Sequence, residues 1–155
     1  MAEPTASPLF IPDYGVEEHH ERVLPWSHVV DRMREAQNYW IATTRPDGRP
    51  HAVAVWGVWA HDTVCFGGGP RTVWMRNLRA RPEVVVHLED GTQVVVIEGS
   101  AEPITDAADP RLGPIDDEYE KKYKMRHGPT IWVVKPRLAY AWTEFPKDVT
   151  RWRFE

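Results

Sequence analysis

Residues Phe66 to Arg81, FGGGPRTVWMRNLRAR, carry a dense concentration of groups able to hold an anion. Three glycines, Gly67 to Gly69, and Pro70 precede eleven residues, Arg71 to Arg81, that contain four arginines and no acid. Glycines let the main chain approach a ligand closely or adopt positive φ. Pro70 leads into a helix whose first amides have no intrahelical acceptor and carry the positive end of the dipole. Arg71 and the Thr72 hydroxyl at that point complete a site suited to phosphate. The same stretch also reads as an ordinary turn before a solvated helix. It is neither a P-loop, lacking Gly-Lys-Ser/Thr, nor the dinucleotide fingerprint.

Other candidates for chemistry are weaker. In VEEHHE, His19 and His20 stand beside Glu17, Glu18 and Glu21. Adjacent histidines on flexible chain rarely converge on one ion, so no metal site is expected there. The single cysteine, Cys65, excludes an internal disulfide, and in the strand-like TVCF it reads as a buried apolar thiol. His28 and His61 read as surface polar residues, His87 as a core or interface residue, and His127 as part of a turn. No Ser–His–Asp order, nucleophile elbow or pair of carboxylates stands out, so no catalytic side chain is expected. That fits redox chemistry carried by a bound cofactor, which the protein only orients.

Composition sets the boundaries. With 19 Lys and Arg against 23 Asp and Glu, the formal net charge is −4, which argues against nucleic acid as a partner. No apolar run approaches the ~20 residues that span a bilayer, and the first residues do not form a secretory signal. The expectation is a cytoplasmic protein.

The elements that must position the Arg-rich turn follow from periodicity. Residues 1–25 read as an irregular segment and 26–155 as one domain. Trp26, Val29, Val30, Met33 and Ala36 fall at helical spacing, which predicts a helix over about 26–37. NYWIATT and RPHAVAVWGVWA form a hairpin around Pro46–Gly48. TVCF follows as a short strand. EVVVHL and TQVVVIEGSAEPI form another hairpin, and TIWVVKP, RLAYAWTE and TRWRFE supply two or three more strands. On a helix over Arg71–Arg81, Trp74, Met75 and Leu78 share one stripe, opposite Thr72, Arg76 and Arg79. In IDDEYEKKYKMR, Asp117–Lys121, Glu118–Lys122 and Glu120–Lys124 are acid-before-base pairs that support a third helix. Six or seven antiparallel strands of Greek-key type with about three outer helices make a mainly β barrel.

This order of elements, with DGRPHAVAV and RNLRARPEVVVHLE as its most specific pieces, resembles the pyridoxamine 5′-phosphate oxidase-like family. It looks most like the flavin and deazaflavin branch that uses coenzyme F420. The resemblance covers roughly residues 26 to 155. It implies a split β-barrel and a homodimer, with the cofactor in a groove at the subunit interface and its phosphate held by the strand–helix turn. Carried over, Arg71, Thr72, Arg76 and Asn77 fall on the phosphate side. His51, Val53, Ala54 and Val55 fall on the strand beside the isoalloxazine-type ring. Trp142, with Trp56 and Trp152 as alternatives, would wall the ring or substrate, and Arg153 and Lys122 would reach an anionic tail from the other subunit. The family commonly has a lysine just after the Ser/Thr of the turn, often preceded by another base; here Val73 and Trp74 stand in those places. The implied function is F420-dependent hydride transfer to a small planar or unsaturated substrate. An FMN-dependent oxidase or reductase is the first alternative. A non-catalytic flavin, haem or pigment binder, which the Val73–Trp74 replacement favours, is the second.

Overall fold

Along YWIATT, Tyr39, Ile41 and Thr43 are buried while Trp40, Ala42 and Thr44 are not, the period-two signature of a strand with one face on a core. The computed structural model describes residues 2–13 and 22–155 and shows this alternation in most of the longer strands, while Gly57–Ala60 and residues 63–66 are buried on both faces. In chain order the elements are β1 (Thr5–Pro8), α1 (Trp26–Glu35), β2 (Tyr39–Thr44), β3 (Pro50–Val55), β4 (Gly57–Ala60) and β5 (Thr63–Gly67). They continue with α2 (Val73–Ala80), β6 (Glu83–His87), β7 (Val94–Ile104), α3 (Leu112–Tyr123), β8 (Ile131–Trp142) and β9 (Thr150–Arg153). The His19–His20 pair lies outside the described residues.

All strand pairings are antiparallel, in the order β1-β9-β8-β7-β6-β2-β3, with β5 joining β8 to β4. The long strand β8 organises the barrel. One of its edges runs the length of β7, while the other divides, with Ile131–Val133 on β5 and Leu138–Ala141 on β9. The division of that edge splits the barrel. The strand count, nine among the described residues, exceeds the six or seven expected. The run PHAVAVWGVWA breaks at Trp56 into two strands, because the chain turns there to pair with β5. TIWVVKP and RLAYAWTE instead fuse, because Pro136, which has no amide to give, sits opposite Gly99 where the ladder is already irregular. The segment 1–25 is not wholly irregular either, since Thr5–Pro8 forms an edge strand on β9.

The helices obey their stripes. α1 buries Trp26, Val29 and Met33, and α2 buries Trp74, Met75 and Leu78. α3 starts earlier than its charge pattern suggests, with Pro114 in the first turn, where a missing amide costs nothing. Its expected i,i+4 ion pairs do not form. Lys121 reaches Glu118 instead, and Arg126 takes both Asp117 and Glu120. Lys122 turns inward, donating to Ala36 O, Gly57 O and the Tyr39 hydroxyl at 2.8 Å each. This ties α3 to the end of α1 and to β2 and β4, and it removes Lys122 from any role toward a cofactor tail.

The main core lies between α1, α2 and the inner sheet face; a second cluster beneath α3 includes Cys65, Ile115 and Ile131. Cys65 has no exposure, and burial pushes its thiol up to about 12, so it is the inert apolar residue expected. Trp152, an alternative for the ring wall, is fully buried and unavailable.

Candidate functional site

The end of β3 and the glycine turn meet at one cavity. The β2–β3 hairpin turns at Gly48, whose φ of +90° suits glycine, and Arg45 N–H donates to Arg49 O at 2.9 Å. Counting along the observed register from that bonded pair, the main-chain groups of His51, Val53 and Val55 bond to β2. Those of Ala52 and Ala54 point to the other edge, against which no strand pairs among the described residues. Of the four β3 residues expected beside a ring, Ala54 alone therefore presents its backbone. Val53 and Val55 pack their side chains toward the core, and the Arg45 guanidinium donates to His51 Nδ1 at 3.3 Å.

At the far end of β3 lies a cavity of about 300 Å³. Val55 and Trp56 form one wall, Gly67, Gly68 and Trp74 the floor, and Tyr119, Met125 and His127 the opposite wall. The lining is dominated by apolar and aromatic groups. Burial, reinforced by Tyr123 and Cys65, raises the Tyr119 phenol well above its usual range and keeps it neutral. A cleft of 340 Å³ elsewhere is lined largely by charged and polar side chains, and one of 360 Å³ sets Trp26 and Phe154 among Glu3, Asp31, Arg34 and Asp62.

The glycines act by close approach rather than by positive φ, which none of Gly67–Gly69 adopts. A Cβ on Gly67 would lie 2.3 Å from Cε1 and Nε2 of His127, and one on Gly68 would lie 3.0 Å from Cζ2 of Trp74. The Trp74 indole thus lies over the turn, edge-on to Phe66 at 5.4 Å and buried. It makes the place of the family's lysine apolar.

The anion-facing groups sit just outside this floor. Arg76 N–H closes the first turn of α2 on Thr72 O, which leaves the amides of Val73, Trp74 and Met75 without intrahelical acceptors. Arg71 and Arg76 are exposed, and the first turn of α2 has no acid. The Thr72 hydroxyl donates to Gly69 O at 2.9 Å, so its proton is spent within the turn. Asn77 departs from its expected role. It is buried and donates to Thr43 Oγ1 at 3.0 Å, which pins α2 to β2. No ion pair among the described residues engages Arg71, Arg76, Arg79 or Arg81.

Trp142 is distant within one protomer. It ends β8, whose first residue, Ile131, pairs with Gly67. Eleven residue steps at ~3.3 Å make roughly 36 Å of strand between them. It lies instead on the outer sheet face. By register, one transverse row there runs Ala54, Trp40, His87, Val96, Tyr140, and Trp142 stands next along β8, opposite Val94. Trp40 is 39% exposed and stacks on His87 with a 5° interplanar angle. Arg153, also outward, lies on β9.

Sequence reasoning missed Tyr119, Met125 and His127 as site residues. The helical period of α3 could have turned Tyr119 inward with Leu112 and Ile115, but nothing local marks His127. Its backbone amide and that of Gly128 both donate to Asp116 Oδ1, at 3.1 and 2.9 Å, and this fixes the loop against α3.

Such a divided antiparallel barrel, flanked by three helices and with its cavity at a strand–helix turn, is a split β-barrel. The sequence profile described as pyridoxamine 5′-phosphate oxidase matches residues 26–143, and the chain belongs to that family. No curated protein matches it. A conserved hypothetical protein of Mycobacterium tuberculosis superposes with a TM-score of 0.66 at 21% identity, covering 78% of this chain and 86% of that one. An F420 reductase gives 0.54 at 24%, over 70% and 94%. The haem storage protein of Vibrio cholerae gives 0.59 at 15%, over 76% and 92%. At these identities the likeness is one of fold. Among the described residues no helix is long and apolar enough to cross a membrane, and no three His, Cys, Asp or Glu side chains are placed to hold a metal ion.

Proposed function

We propose that this protein is an oxidoreductase that binds the deazaflavin coenzyme F420 as a homodimer and reduces or oxidises a small planar substrate. One observation carries the reading: Val55 at the end of β3, Trp56 after it and the glycine turn line one apolar aromatic cavity, beside a helix start whose arginines have no acidic partner. When bound, the deazaflavin supplies the carbon that gives or takes the hydride. The protein's part is to hold it. Arg71, Arg76 and the free α2 amides meet the anionic tail. The outward main chain of Ala52 and Ala54 offers hydrogen bonds to the ring edge, and their small side chains leave room for it. Trp56 and Tyr119 exclude water from the reacting face.

The homodimer is supported by the outer sheet face, where Trp40, Val96, Tyr140 and Trp142 lie on one uncovered side. Packed against a second copy, that face would bring Trp142 of one protomer toward the other's β3. This is how Trp142 serves a ring it cannot reach within its own chain.

A second reading rests on Trp74. With an indole over Gly68 where the family has a cation, the anchor is weaker, which suits a carrier of flavin, haem or pigment without turnover. Fluorescence titration of the purified protein with F420, FMN and haem discriminates among them. Micromolar F420 binding with weak FMN binding is expected. FMN binding alone transfers the reading to FMN chemistry, and haem binding alone supports the carrier. Arg71→Ala should weaken F420 binding about 1.5-fold to fivefold, one exposed charge-assisted contact; undiminished affinity removes Arg71 from the anchor.

A further inference from the structure

His127 is held in one orientation and one tautomer by its own loop. Its Nδ1 lies 2.7 Å from Gly128 O, and because a carbonyl only accepts, Nδ1 carries the proton. In the neutral ring Nε2 is therefore a bare acceptor. The structure gives Nε2 no hydrogen-bond partner, and it is not sealed from solvent. The Cε1–Nε2 edge rests on Gly67 at the cavity floor, and the ring stands 4.9 Å from that of Tyr119. Every other side chain around the cavity is apolar or a neutral aromatic, and Trp56 is braced by a parallel stack on Tyr123 at 4.4 Å.

We infer that this cavity is a binding subsite for a flat, uncharged one- or two-ring molecule bearing an N–H or O–H that donates to His127 Nε2. It is the substrate's subsite if the cofactor reading above holds, and that word alone rests on it. A volume of about 300 Å³ limits the occupant to that size. No arginine or lysine lines the cavity, which disfavours carboxylates and phosphates, since they would be desolvated beside the neutral ring without compensation. A ring nitrogen acceptor with no partner of its own selects for a donor, because an isostere without one leaves Nε2 buried and unpaired. His127 is thus a specificity-determining residue, with Asp116 and Gly128 as the groups that position it.

Indole and N-methylindole are matched probes, flat and uncharged, that differ in the N–H. Titrated by NMR into the full chain, indole should bind about fivefold to tenfold more tightly, and it should move the nitrogen-15 signal of His127 Nε2. In His127→Phe, which keeps a flat ring over Gly67, both probes should bind with the preference gone. Equal affinities in the unaltered protein, an unmoved Nε2 signal, failure of both probes to bind, or a preference that survives in His127→Phe would each overturn the inference. The comparison within the unaltered protein stands even if the variant does not fold. F420 titrations on the same samples score the cofactor reading separately: lost coenzyme binding with an intact indole preference fails that reading and leaves this one standing.

Discussion

Gly67→Ala tests whether the floor of the cavity is set by close approach. The added Cβ would lie 2.3 Å from two atoms of the His127 ring and 3.1 Å from Ile131 Cδ1. An ordinary contact needs ~3.5 Å, so the ring must withdraw by roughly 1.2 Å. It cannot do so freely, because Nδ1 is bonded to Gly128 O and the loop amides are bonded to Asp116. Either the strain is retained, at about 1–3 kcal/mol for overpacking, or the Nδ1 bond breaks, at about 0.5–1.5 kcal/mol. Any Gly→Ala change also stabilises by about 0.4–1 kcal/mol through the unfolded chain. Gly69→Ala cancels that contribution, since its nearest contact is an ordinary 3.9 Å to Thr72 Cγ2 and its φ is not positive. The two melting temperatures should therefore differ by the clash alone, about 0.5–3 kcal/mol, or roughly 1–12 °C for a chain of this length. Calorimetry measures the pair. Equal melting temperatures would refute the argument that His127 is fixed over Gly67.

Lys122→Met removes a cation that donates to three oxygens and should destabilise by about 2–4 kcal/mol, read by urea denaturation. Burial lowers the Lys122 pKa to about 8 from its ordinary 10.5, so between those values the unfolded chain holds more protons than the fold. Stability of the unaltered protein relative to Lys122→Met should then rise with pH across that window; a fall would contradict the shift. Trp40→Glu places a charge in the centre of the outer sheet face and should yield monomers in sedimentation analysis; an unchanged oligomeric mass would remove that face from the dimer proposal. Arg71→Glu puts an acid beside the positive end of α2 and should stabilise the ligand-free protein by about 0.3–1 kcal/mol while reducing F420 binding. A variant that melts lower and binds unchanged would defeat both halves of that reasoning.

The barrel was legible because burial writes itself into period. Tyr39, Ile41 and Thr43 alternate with exposed neighbours, and Trp74, Met75 and Leu78 recur at helical spacing; both patterns reappear as inward faces. What stayed hidden depends on contacts distant in sequence. No local pattern says that Asn77 turns to Thr43, that Lys122 spends its protons on three oxygens, or that Gly67 is small because His127, sixty residues later, lies on it. The glycine run is expected to let the chain approach a ligand closely or adopt positive φ, yet at Gly67 and Gly68 it admits the protein's own rings, His127 and Trp74. Trp142 illustrates the same limit. Its place on the outer face is settled by register with Val94, which a strand prediction does not contain.

The replacement of the lysine by Trp74 bears on which coenzyme suits the turn. A phosphate pressed against the indole and Gly68 would lose water without gaining a counter-charge, so the proposed anion site lies at the solvent side, where Arg71 and Arg76 are exposed. Exposed ion pairs contribute only about 0.2–1 kcal/mol each and are screened by salt. A cofactor with one phosphate gains little from such a surface. A longer tail with several negative charges can engage Arg71, Arg76 and Arg79 in turn, and the small contributions then add to a useful affinity. The same physics requires that affinity to fall steeply as ionic strength rises. Exposed arginines without acidic partners beside the glycine turn thus favour, in the reading proposed above, a polyanionic deazaflavin over FMN.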